Sequence, residues 1–118
     1  MKKFYYLSTC DTCKRILNEL TLPEKVEMQD IKTTPLTTDQ LDALRELSGS
    51  YESLFSKRAR LYKERNLKAQ KLSETDYRAL ILEHYTFLKR PVLLWDDQIF
   101  VGNSQKVVQE AVNTVKGA

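Results

Sequence analysis

Lys3-Phe4-Tyr5-Tyr6-Leu7-Ser8-Thr9-Cys10-Asp11-Thr12-Cys13-Lys14-Arg15-Ile16-Leu17-Asn18-Glu19-Leu20 is the stretch from which the fold can be read. Lys3 to Leu7 is short and rich in aromatic residues, the pattern of a strand. Ser8, Thr9 and Cys10 make a turn. Cys13, Ile16, Leu17 and Leu20 then share one face at helical spacing. Pro23 marks a loop between Thr21 and Lys25, and Val26 to Ile31 reads as a second strand. Strand, helix and strand in that order predict a parallel pair joined by a crossover helix.

Beyond Ile31, Pro35 punctuates the chain. Thr37 followed three residues later by Gln40 is a capping-box pattern. It opens a helix with Leu41, Leu44 and Leu47 inward, ending near Gly49. Tyr51 to Phe55 adds a helical turn. Ser73 with Asp76 marks another helix start, and Tyr77, Leu80, Ile81, Tyr85 and Leu88 recur at helical spacing until Pro91. Val92 to Trp95 is a continuous apolar run, as in a strand buried on both faces. Asp96-Asp97-Gln98 turns the chain, and Ile99 to Val101 returns as the second arm of a hairpin. After Gly102-Asn103-Ser104, a last helix carries Val108, Ala111, Val112 and Val115 inward. The predicted order is β-α-β, then helices, then β-β-α, an α/β chain without repeats, low-complexity segments or domain linkers.

With 118 residues, 42% hydrophobic and 30% charged, the chain fits one domain, 1–118, and disorder is not expected. No apolar run approaches the roughly 18 residues of a membrane helix. The apolar run after Lys2-Lys3 is too short for a signal peptide. A cytoplasmic monomer with reduced thiols and no membrane association is expected. The net charge of +3 is too small to argue for nucleic acid, and no direct nucleic-acid binding is expected. The charge is nevertheless uneven. From Lys57 to Lys71 there are seven basic residues and one acid, Glu64. That segment is either a solvated surface stretch or a patch for an acidic partner, a phosphate-like anion or RNA.

Both cysteines lie in Cys10-Asp11-Thr12-Cys13. Cys10 falls where a strand-to-helix turn ends, a place that gathers free amides and the positive end of a helix dipole. Both favour a thiolate, the nucleophilic form. Cys13 lies one helical turn further on, placed to attack a mixed disulfide on Cys10. Lys14 and Arg15 add positive charge and Asp11 opposes it. Cys-x-x-Cys beside a βαβ pattern is a fairly specific redox signal. The alternatives are an inert turn thiol beside a small core residue, or half of a metal site shared between chains. Two cysteines and one distant histidine, His84, do not close a zinc site within the chain, and no metal is expected. His84 itself reads as a packing residue, Trp95 and the six tyrosines as packing, and no glycine-rich phosphate loop is present. Arg90 is open to two readings, a guanidinium beside Cys10 that stabilises its thiolate, or a surface arginine capping a helix end.

These residues resemble the arsenate reductase-like (ArsC/Spx) family. The resemblance is carried by Ser8-Thr9-Cys10-Asp11-Thr12-Cys13-Lys14, Leu54-Phe55-Ser56-Lys57-Arg58 and Lys89-Arg90-Pro91-Val92-Leu93-Leu94, and runs from Lys3 to about Val115. It implies a thioredoxin-like fold, βαβ then ββα, with a helical insertion over about 37–89. It implies that Cys10 is the nucleophile, Arg90 the arginine before a cis-proline, and Pro91 that proline. Arg58 matches the basic position of the insertion in the Spx-like and YffB-like branches. Pro91, Thr9 and Thr12 are the candidate positions for holding a thiol cofactor. The resemblance favours the functional reading of Arg90.

Two departures stand out from the classical arsenate reductases, which carry a further arginine after the hairpin and usually lack a second cysteine. Here Val101-Gly102-Asn103 follows the hairpin, and Cys13 is present. The resemblance therefore implies a thiol-dependent reductase, acting on a disulfide, a glutathione mixed disulfide or an oxyanion. No cofactor is expected to stay bound, and glutathione, glutaredoxin or thioredoxin is the expected reductant. The alternative is an Spx-like, redox-switched regulator that binds RNA polymerase, and a third reading is a non-enzymatic adaptor. In the Spx branch a glycine ahead of the insertion's arginine marks the polymerase contact. Here Ser50 stands at that position, with Gly49 one place away.

Overall fold

Four strands form one sheet in the order β2-β1-β3-β4. The computed structural model describes residues 1–117; Ala118, the last residue of the expected domain, lies outside the described residues. The described chain divides into two compact units, residues 1–34 with 90–117, and Pro35–Lys89.

The first unit holds the sheet. Strand β1 (Lys2–Tyr6) pairs in parallel with β2 (Glu27–Asp30), and helix α1 (Asp11–Leu20) connects them. Alternation along β1 sends Phe4 to one face and Tyr5 to the other, and both are buried. Strand β3 (Val92–Trp95) lies antiparallel to β1, and β4 (Gln98–Val101) antiparallel to β3. All four residues of β3 are buried, which is why it reads as an unbroken apolar run. Its hairpin turns at Asp96, whose φ of 58° is one of the left-handed positions aspartate tolerates. The Asp96 carboxylate accepts from Lys2 Nζ at 2.7 Å and tethers the turn to the start of β1. Helix α5 (Gln105–Lys116) starts at Ser104, whose hydroxyl accepts from the Val107 amide. The core joins α1 and α5 to one sheet face: Phe4, Leu93 and Trp95 pack with Ile16, Leu20, Val26, Val108 and Ala111.

The second unit is helical. Thr37 and Gln40 form both bonds of a capping box at the start of α2 (Thr38–Ser48), which ends at Gly49 with φ 99°, where a side chain would be strained. Leu41 and Leu44 are buried, but Leu47 is 39% exposed. It sits in the last turn before Gly49, where the expected inward stripe has run out. Short 3-10 turns at Glu52–Leu54, Leu67–Ala69 and Tyr85–Phe87 alternate with α3 (Arg60–Glu64) and α4 (Glu74–Glu83). Helix α4 is also shorter than its apolar spacing predicts. His84 takes an extended conformation, and its Nδ1 accepts from the Thr86 amide at 3.1 Å, starting a new turn. That turn keeps Phe87 buried, so the inward pattern continues although the helix does not. Leu88 then pairs as an antiparallel bridge with Phe55, whose ring meets those of Tyr62, Tyr77 and Phe87. Asp42 joins α2 to α4 by accepting from Arg78 Nε at 2.9 Å and from the Tyr51 hydroxyl at 2.6 Å.

Candidate functional site

The site grows from the end of β1. After Tyr6 the chain turns through Ser8 and Thr9, both exposed, and the Cys10 amide donates to the Leu7 carbonyl at 3.0 Å. Cys10 is thereby the N-cap of α1, in extended conformation, and its carbonyl accepts the first helical bond from the Lys14 amide. The remaining first-turn amides have no carbonyl partner in the helix, and those of Thr12 and Cys13 lie toward the Cys10 sulfur. The loop has a second anchor. Ser8 Oγ donates to Asp30 Oδ2 at 2.6 Å, and the Ile31 amide donates to the Tyr6 carbonyl at 2.9 Å.

The two thiols are free and sit in different surroundings. Cys10 is half-buried and Cys13 is 1% exposed. Partial burial alone raises the Cys10 pKa. The Cys13 amide, the Cys13 thiol, the Arg90 charge and the Thr12 amide together outweigh it, so the Cys10 thiol is held below its ordinary value. Cys13 moves the other way. Burial pushes it up to about 11, the adjacent Cys10 sulfur adds to the rise, and the Leu7 amide and Arg90 only partly oppose it. One thiol is thus prepared to lose its proton while the other keeps it.

Arg90 reaches this place through the sheet. The register sets Val92 opposite Tyr5, so the chain just before β3 runs beside the chain just after β1. The Arg90–Pro91 peptide is cis, and Pro91 is buried. The Pro91 carbonyl accepts from the Gly102 amide at 2.8 Å. Gly102 has φ 90°, in the left-handed region, and open space where a side chain would start. Cys10, Cys13, Thr12, Arg90 and Pro91 are therefore brought together within one unit, with Thr9 exposed one residue before Cys10. Arg58 lies in the other unit, exposed in the turn that precedes α3. Sequence reasoning missed Asp30. The signal was available: Asp30 is the second-last residue of the strand expected over Val26 to Ile31 to pair in parallel with β1, whose end leads into the cysteine turn. Among the described residues there is no group of three or more His, Cys, Asp or Glu able to hold a metal ion. His84 belongs to the capped turn already described, stacked on Tyr85 with ring centroids 4.5 Å apart.

The model of the ArsC family matches residues 5–111. The chain belongs to the ArsC family. The family includes arsenate reductases, and the four-stranded sheet with its helices is the thioredoxin-like fold of ArsC-family structures. The global transcriptional regulator Spx 2 of Bacillus anthracis is 24% identical over 117 residues, covering 93% of this chain and 86% of the regulator. The arsenate reductase from Vibrio cholerae superposes with a TM-score of 0.77 at 22% identity, over 93% of this chain and 96% of that one. SACOL0876 from Staphylococcus aureus gives a TM-score of 0.69 at 29% identity, over 93% and 97%. Among the described residues of this ArsC-family chain, no helix is long and apolar enough to cross a membrane.

Proposed function

We propose that this ArsC-family chain is a thiol-dependent reductase, with Cys10 as nucleophile and Cys13 as resolving thiol. The observation that carries the reading is the opposite displacement of the two thiols, with Arg90 beside them. In the first step the Cys10 thiolate attacks one sulfur of a disulfide. A Cys10–substrate disulfide forms, and the other half leaves as a thiolate that takes up a proton. Cys13 then attacks Cys10 Sγ, closes the Cys10–Cys13 disulfide and releases the second thiol. Capping Cys10 removes the negative charge that helps hold the Cys13 proton, so the resolving thiol becomes more acidic when it is needed. Two glutathione thiols, or the dithiol of a glutaredoxin or thioredoxin, return the pair to the reduced state and leave as a disulfide themselves.

In this reading Arg90 holds the thiolate and any anionic substrate group, and Arg58 is the basic position that the family resemblance gives the helical insertion. Pro91, Thr9 and Thr12 line the place where a substrate thiol lies. The whole chain acts as one cytoplasmic, monomeric thioredoxin-like domain with a helical insertion. Disulfides and glutathione mixed disulfides are the favoured substrates. Arsenate is disfavoured because Val101-Gly102-Asn103 supplies no cation after the hairpin. The similarity to Spx 2 supports a second reading, a redox-switched regulator of RNA polymerase, with the Cys10–Cys13 disulfide as the switch and the basic segment from Lys57 as the partner surface. A turnover panel on a model disulfide, a glutathione mixed disulfide and arsenate, with glutathione–glutaredoxin and with thioredoxin, separates the two readings when paired with a polymerase pull-down. Disulfide turnover abolished in Cys10→Ser supports the reductase. Redox-dependent polymerase capture without turnover replaces it with the regulator. Robust arsenate turnover overturns the substrate preference.

A further inference from the structure

The basic segment from Lys57 to Lys71, Arg58 aside, has no part in the thiol chemistry, and its charges divide into two groups. Lys57 pairs with Glu52 at 2.8 Å, Arg60 with Glu64 at 3.4 Å, and Arg65 with Glu83. Lys63, Lys68 and Lys71, all exposed, have no ion pair among the described residues. Two of these unpaired lysines, Lys63 and Lys68, line one cavity of about 630 Å³, together with Lys57, Tyr62 and Asn66. All five residues belong to the helical unit.

The fold arranges this concentration. Helix α3 ends after Glu64, and Asn66 takes a left-handed conformation with φ 52° that turns the chain into the 3-10 turn carrying Lys68. Tyr62 is set by its ring contact with Phe55, with centroids 5.8 Å apart. The cavity wall thus combines like charges with an aromatic ring and an amide. Lys57 has Glu52 as its counter-charge, but Lys63 and Lys68 have none; like charges left in this way repel one another, and an anion relieves that repulsion. The volume lies within the roughly 300–1,000 Å³ of small-molecule sites, well above what one inorganic phosphate fills. An aromatic ring beside cations suits a ligand with both a flat base and a phosphate. From these features we infer that the cavity binds a nucleoside phosphate, with the phosphates on Lys63 and Lys68, the base against Tyr62 and its polar edge toward Asn66.

The test is calorimetric titration of the full chain at low ionic strength with ADP, adenosine, inorganic diphosphate and a single-stranded oligouridylate. The expected result is saturable one-to-one ADP binding that weakens with salt, with adenosine and diphosphate each at least tenfold weaker. The double variant Lys63→Gln/Lys68→Gln, at two exposed positions, should lose at least tenfold in ADP affinity without a change in melting temperature. Tyr62→Leu should weaken ADP more than diphosphate. Because Tyr62 packs on Phe55, Tyr62→Phe serves as the folded control and should retain ADP binding. No saturable ADP binding, or equal affinity in the double lysine variant, overturns the inference. Oligouridylate binding that grows with chain length while ADP stays silent also overturns it, and makes the segment a polyanion-binding face.

Discussion

Trace alkylation of the reduced protein at pH 7 should label Cys10 at least about tenfold faster than Cys13, and the factor follows from the two environments. An ordinary thiol with a pKa of 9.0 is roughly 1% ionised at pH 7. Cys10 is held below that value, so its thiolate fraction is larger. With Cys13 pushed up to about 11, its fraction is roughly 0.01%. The ratio of thiolates is therefore at least about 100. The more basic thiolate is also the better nucleophile, by about 0.4–0.5 logarithmic units per pKa unit in disulfide exchange. The same slope over roughly 2 units returns about six- to tenfold, leaving about 10- to 15-fold before access is counted. Access adds to the preference, since Cys13 is 1% exposed. Both cysteines fall in the tryptic peptide Phe4–Lys14, and fragmentation of that peptide places the label. Raising the pH should increase Cys13 labelling tenfold per unit, while Cys10 labelling levels off once its own pKa is passed. Comparable labelling of the two at pH 7, or a Cys10 titration at or above the ordinary value, would refute the reasoning.

Arg90→Ala should raise the Cys10 pKa and slow its alkylation at neutral pH with little change in melting temperature, and Arg90→Lys should recover only part of the effect because a point charge does not copy a planar fork. An unchanged thiol titration would remove Arg90 from the site, and a large drop in melting temperature would make its role structural. Mild oxidant should convert the monomer to a species lighter by two hydrogens, seen by non-reducing mass spectrometry; only intermolecular dimers or sulfinic acid would end the resolving role of Cys13. Asp42 is held down to about 2, first by the hydrogen bond from Arg78 and then by that from Tyr51. A carboxylate depressed on folding stabilises above its unfolded value of about 3.9 and loses that effect as pH falls toward its folded value. The gap in melting temperature between wild type and Asp42→Asn should therefore be steady above about pH 4 and close on the way to about pH 2. A gap independent of pH would mean that the asparagine loses packing rather than charge.

The sheet, the flanking helices and the thiol pair were legible because each rests on short-range pattern. Aromatic alternation at β1, the capping residues Thr37 and Ser73, and the apolar run of β3 each write a local signal. Helix α4 was read too long because a 3-10 turn kept the apolar spacing after the helix had stopped at His84. Leu47 was read as buried because periodicity does not say where burial ends. Within the site, Cys10 and Cys13 were visible from spacing and position. Arg90 needed the family resemblance, because its place beside Cys10 depends on strand register. Asp30 went unnoticed because its bond to Ser8 crosses from one strand to the loop of its neighbour, a contact with no sequence period.

The meeting of β1 with β3 also sets a condition on when the thiol becomes special. Cys10 and Arg90 stand 80 residues apart. During synthesis the cysteine turn emerges long before the arginine does, and chains are made at about 5–20 residues per second. Until β3 docks, Cys10 has at most the local pull of its own helix turn and lacks the distant charge. A nascent or unfolded chain therefore carries two nearly ordinary thiols, slow to react and poorly distinguished from one another. Full reactivity arrives only with the closed sheet, so the rate at which Cys10 is labelled doubles as a clock for the completion of folding.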